Sequence, residues 1–143
     1  MIHSRLKKRK GFTLIEVIIV VIVVGIVASI AIPKMTTVVE RMRAAEGVQI
    51  LTTLLGAQNR FRQENNGFTN VMANLDVVIS NSRNFTNPPT VLVPATEATD
   101  PVATVTRLRG ATNLYRLGIL SNGTVGCANL AVNWCAALGF PVW

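Results

Sequence analysis

At 143 residues the chain is long enough for one domain, and half of its residues are hydrophobic. Its fourteen Lys and Arg against seven Asp and Glu give a formal net charge of +7, but Arg5, Lys7, Lys8, Arg9 and Lys10 crowd five of those bases before Gly11. The remaining nine bases nearly balance the seven acids, which leaves a nucleic-acid partner little support.

In chain order, the basic run Arg5-Leu6-Lys7-Lys8-Arg9-Lys10 leads through Gly11 into an almost wholly apolar stretch, Phe12 to Ile32, whose only charge is Glu16. As a helix that stretch reaches roughly 31 Å, enough to cross the hydrocarbon core of a bilayer. A secretory signal peptide has a shorter apolar region ending in small residues at a cleavage site. Here the pattern beyond Pro33 still reads as helix, so the apolar part is expected to stay in the protein. The clustered bases place the start of the chain on the cytoplasmic side and everything past the anchor outside. Glu16 is out of keeping with its surroundings. A carboxylate well inside a spanning segment costs about 2.5–3.5 kcal/mol, offset in part if it lies near the positive end of the helix dipole.

The seven residues Lys10-Gly11-Phe12-Thr13-Leu14-Ile15-Glu16 resemble the cleavage and methylation motif of type IV pilins and their pseudopilin relatives. The resemblance implies a prepilin peptidase that cuts between Gly11 and Phe12 and methylates the new amino terminus on Phe12. It also implies an assembly role for Glu16, paired with the Phe12 amine of a neighbouring subunit. The expected division is a leader over 1–11, a membrane-spanning and polymerisation helix over 12–33, and a globular domain over 34–143. Cleavage would remove His3, the sole histidine.

Pro33 lacks an amide donor and crowds the preceding turn, so it is expected to kink or loosen the helix rather than end it, with a part in assembly. From Lys34 to about residue 65 an amphipathic half follows. Its apolar stripe is Met35, Val38, Met42, Ala45, Val48, Leu51, Leu55 and Phe61, widened by Val39 and Leu54, with the charges on a solvated face. Asn65-Asn66-Gly67 supplies the stop. The segment Phe61 to Phe68, aromatic, Asn-Gly turn, aromatic, resembles a second, weaker feature of the same family.

Residues 69–101, rich in Asn, Ser, Thr and Pro, read as a variable loop tethered by short apolar clusters. Val102–Arg109, Leu114–Leu120 and 124–128 read as antiparallel strands, with a type I′ turn at Asn122-Gly123 between the last two. Cys127 and Cys135 are too far apart for a redox pair and have no partners for a metal site. In a domain outside the cytoplasm they are read as a disulfide, against the alternative of two unpaired thiols. Trp134 and Trp143 are read as packing residues.

The expected fold is therefore α+β, one long amino-terminal helix packed through its second half on a small antiparallel sheet. The sequence carries no phosphate-binding glycine loop, nucleophile elbow or His/Asp constellation, so no enzyme, cofactor or metal is expected. The expected function is a structural subunit of a type IV pilus. It would be stored in the bacterial inner (plasma) membrane and polymerised into an extracellular filament of its own copies, with minor pilins and an inner-membrane assembly platform as further partners. The alternatives are a pseudopilin of type II secretion, and a DNA-uptake pilin gripping nucleic acid through Arg83, Arg107, Arg109 and Arg116. A membrane-anchored domain that never assembles leaves the cleavage motif without a purpose.

Overall fold

The computed structural model describes residues 11–131 and 133–143. The basic run and His3 lie outside the described residues, as does the expected leader apart from Gly11. Helix α1 runs from Leu14 to Asn65, so Pro33 does not end it. Asn66, with φ 57°, takes the left-handed conformation just past its end, which only Gly and Asn adopt at little cost. The chain divides into two units, Met1–Thr36 and Thr37–Trp143.

In the first unit every large apolar side chain from Phe12 to Ile32 is exposed. This part of α1 contains a stretch long and apolar enough to cross a membrane. A helix with no polar face finds no partner within its own unit, and its apolar surface is covered only by lipid or by other helices.

The second unit is α+β. Among its described residues, β1 (Thr90–Val91), β2 (Ala103–Arg109), β3 (Thr112–Ile119) and β4 (Val125–Asn129) form one antiparallel sheet in sequence order. The core joins Ala44, Leu51, Leu54 and Ala57 of α1 to Val105, Tyr115, Leu117, Ile119 and Cys127 of the sheet, with Phe85 beside them. Gly47 sits where the helix comes closest: a Cβ there would lie 2.7 Å from Phe85 Cζ. The glycine weakens the helix locally but permits this approach.

The face of α1 that packs inward differs from the predicted stripe. Beyond Val48 the two agree, with Leu51 and Leu54 buried and Leu55 and Phe61 half-buried. Before it they do not. Val38, Val39 and Met42 are exposed, and Glu40, Ala44 and Gly47 are buried in their place. The sheet-facing positions hold small residues and a charged residue with partners, which a count of apolar residues does not recognise.

Two turns carry the sheet. Gly110 (φ 62°) opens the two-residue loop between β2 and β3. Between β3 and β4 only Gly123 has positive φ, and its N–H donates to Leu120 O at 3.0 Å. The connection is thus a type I turn closed by a left-handed glycine, not the expected type I′ turn, because Asn122 stays at negative φ and uses its Oδ1 to accept from Thr124 N. The 69–101 segment also carries more than a loop: a 3-10 turn (Met72–Asn74) and β1. Gln58, fully buried, donates to Thr69 O (2.7 Å) and Val102 O (3.3 Å) and accepts from Thr69 N (3.1 Å), pinning that segment to α1.

Candidate processing and assembly site

The motif residues stand at the head of α1. Gly11 is exposed, and a Cβ on it would meet nothing within 4 Å. No packing among the described residues therefore demands glycine there. Phe12 is 82% exposed, an aromatic ring with no place in the core of its own chain. Thr13 caps the helix: its Oγ1 accepts from Glu16 N–H at 3.3 Å. The Thr-x-x-Glu spacing is that of a capping box, a signal the sequence reading passed over. Glu16 lies in the first turn, where the unpaired N–H groups of the helix favour a carboxylate. Its side chain is exposed, so Gly11, Phe12 and Glu16 share one accessible end of the helix.

A second cluster was not foreseen. Glu40 of α1 is buried, and its carboxylate accepts from Arg107 Nε of β2 at 2.5 Å and from Tyr115 Oη of β3 at 3.2 Å. Arg43 Nη1 adds a bond at 2.9 Å from one turn on. The Arg107 guanidinium also donates to Asn84 O (3.1 Å) and to Leu108 O. Burial alone would raise the Glu40 carboxyl, but the bonds from Arg107 and Arg43, with the Arg107 charge, outweigh it and hold it below the usual carboxylate range. Burial, followed by the Glu40 charge, raises the Tyr115 hydroxyl well above its ordinary value. Every polar group in the cluster has a partner, and the cluster joins α1 to two strands.

This arrangement corrects the reading of the arginines. Arg107 is buried and neutralised by Glu40, so it is not available to nucleic acid. Arg116, paired across from Thr106, projects from the opposite face of the sheet. The four arginines do not form one surface.

Cys127 and Cys135 form a disulfide with Cα atoms 5.6 Å apart, both buried. It closes the segment leading into α2 (Trp134–Leu138), a short helix that only its tertiary contacts fix. Arg41 of α1 donates from Nε (3.1 Å) and Nη2 (2.9 Å) to Ala137 O, near the carboxyl end of α2. The tail then returns beside β4, where Cys127 N donates to Pro141 O at 2.8 Å. Trp143 lies over the cross-strand pair Gly118–Gly126, where a Cβ on either glycine would overlap the indole. The tryptophan is a packing residue, as expected. Among the described residues no group of three or more His, Cys, Asp or Glu side chains is placed to hold a metal ion.

Residues 6–32 match the family described as the prokaryotic N-terminal methylation motif. The chain thus carries an N-terminal methylation motif that runs into an exposed apolar helix. It is 52% identical over 42 residues to the type IV major fimbrial protein FimA of Dichelobacter nodosus, covering 29% of this chain and 26% of that one. It is 27% identical over 74 residues, 52% of either chain, to the type II secretion system core protein G of Aeromonas hydrophila. The corresponding protein of Klebsiella pneumoniae is 25% identical over 75 residues. The chain spans about half the length of these secretion relatives and about a quarter of the fimbrial one. No solved structure matches it.

Proposed function

We propose that this chain is a structural subunit of a type IV pilus. In this reading residues 1–11 are a leader that a prepilin peptidase removes between Gly11 and Phe12, methylating the Phe12 amine. Residues 12–33 hold the subunit in the inner membrane, with the 34–143 domain outside the cytoplasm. Copies then leave the membrane at an assembly platform and pack through their apolar helices into an extracellular filament. Glu16 pairs with the Phe12 amine of a neighbour, and Pro33 loosens the helix enough for it to bend as copies pack. The single observation that carries this reading is the methylation motif at the head of a helix whose apolar side chains are exposed all round. Such a helix is soluble only in lipid or among its own kind.

The exposed Gly11, with room for a side chain, supports the cleavage step. Since the fold does not require glycine there, the requirement falls on the peptidase. Intact-mass analysis of sheared filaments tests it. The mass should be that of a chain beginning at Phe12 plus one methyl group. Filaments that retain Met1 would overturn the cleavage.

A second reading, a pseudopilin of type II secretion, is favoured by the longer match to core protein G, 52% of this chain against 29% for the fimbrial relative. Against it, major pseudopilins commonly carry a calcium site near the carboxyl end. Here Glu97 and Asp100 are the only acids beyond Asp76, few for a hard cation that prefers carboxylate oxygens. Deleting the gene separates the two. Loss of surface filaments with secretion intact supports the pilus, and the converse supports the pseudopilus.

A further inference from the structure

Within the second unit, the turns of α1 before Val48 point their bulkier apolar side chains away from their own sheet. Val38 is 54% exposed and Met42 70%, with Val39 and Ala45 exposed beside them. The sheet-facing positions of the same turns hold Glu40, Ala44 and Gly47. This is the reverse of what burial in a lone subunit would select. Spaced at three and four residues, the four side chains make one strip on the helix surface. The strip has a sharp end: the next positions on that face, Gln49, Thr52 and Thr53, are exposed and polar.

We infer that the strip Val38–Val39–Met42–Ala45 is covered by α1 of a second copy of this chain, and that the copy–copy contact stops between Ala45 and Gln49. The inference rests on the filament reading and adds to it a second contact surface, on the globular unit, with a defined boundary. Lipid is the wrong occupant. A bilayer core takes about 20 helical residues, which the run up to Ile32 already supplies, and Met42 comes ten residues later in the sequence. An unrelated partner is disfavoured because the strip follows in the same helix on the apolar run that already needs covering by other copies. Four side chains are also far too little surface for a stable soluble dimer, which buries about 1,200–2,000 Å² in total. The strip works only where the anchors hold copies together.

Two measurements on the full-length chain test this. First, oxidation of the native Met42 sulfur by dilute hydrogen peroxide is followed by mass spectrometry in sheared filaments and in the membrane-stored pool. Met42 is expected to react at least ten-fold more slowly in filaments. Second, Met42→Lys and Gln49→Lys each place a cation on the same helix face, on either side of the boundary. Both residues are exposed, so both variants should accumulate in the membrane. Met42→Lys should lower filament yield at least ten-fold, and Gln49→Lys less than two-fold. Filaments in which Met42 stays as reactive as in the membrane, or equal yields from the two variants, overturn the inference and leave the filament reading standing. If the unaltered chain builds no filament, both are overturned.

Discussion

Glu40 shows what one residue does when its charge is buried with partners. Removing Arg107 alone leaves the buried carboxylate only Arg43 and Tyr115 as partners, and losing one half of a buried pair costs up to about 3–5 kcal/mol. Replacing both members by apolar residues of similar size removes the charge as well as its partner. Arg107→Met should therefore lower the unfolding free energy far more than Glu40→Met with Arg107→Met together, and chemical denaturation of the three proteins checks it. The same pair sets an acid limit. Because folding holds the Glu40 carboxyl below its ordinary value of 4.5, the folded state binds fewer protons than the unfolded one in that range. This contribution is fully present above about pH 4.5 and is lost as pH falls through the lower folded value. Asp76, held low by its bond to Arg60 at the surface, acts in the same direction. Denaturation midpoints should fall on acidification below pH 4.5, less steeply for the double variant, which no longer has the Glu40 carboxyl.

Among the elements, β3 and β4 leave a side-chain gap at Gly118 and Gly126 that the indole of Trp143 fills from the carboxyl-terminal tail. Gly126→Ala should expel the ring from its seat and detach the tail from β4. The expected loss is about 1–3 kcal/mol, the usual cost of overpacking, with red-shifted tryptophan emission. Unchanged emission and stability would show that the tail accommodates the methyl group. Neither the glycine pair nor its lid was legible in the sequence, because the residues meet only when a distant tail folds back. The long helix and the strand order were legible, since apolar periodicity and turn residues are local signals. The motif from Lys10 to Glu16 was legible for the same reason: its seven residues are contiguous in the sequence. The inward face of α1 before Val48 was misread. There the sequence places Met35, Val38 and Met42 at core-like spacing, and only tertiary structure reveals that Glu40 has Arg107 and Tyr115 to receive it. β1 and α2 went unseen because so few residues carry no periodicity, and both are held by bonds to remote segments.

Taken whole, the molecule pairs a unit that buries its own core with an apolar helix that buries nothing of its own, and Glu16 belongs to the second. Two accounts of that carboxylate make different forecasts. In one, Glu16 serves its own helix: Thr13 and Glu16 form the start of a capping box, and the carboxylate sits at the favourable end of the dipole, worth about 0.3–1 kcal/mol. A cleaved Phe12 amine would lie just ahead of the helix, four residues from Glu16 in the sequence, and could pair within the chain. Removing the charge would then cost little, and filaments would still form. In the other, the partner is a neighbour's amine, and Glu16→Ala leaves that amine unpaired in an apolar bundle, which is strongly unfavourable. The exposure of Glu16 in the single chain suits the second account, because it leaves the carboxylate accessible to another copy. Glu16→Ala should be made, inserted and cleaved at Gly11 as usual, since Thr13 still caps the helix and the apolar run is intact. It should build few or no filaments. The measurement is sheared-filament yield set against membrane-stored protein for the two chains. Equal ratios would mean that Glu16 works only within its own helix.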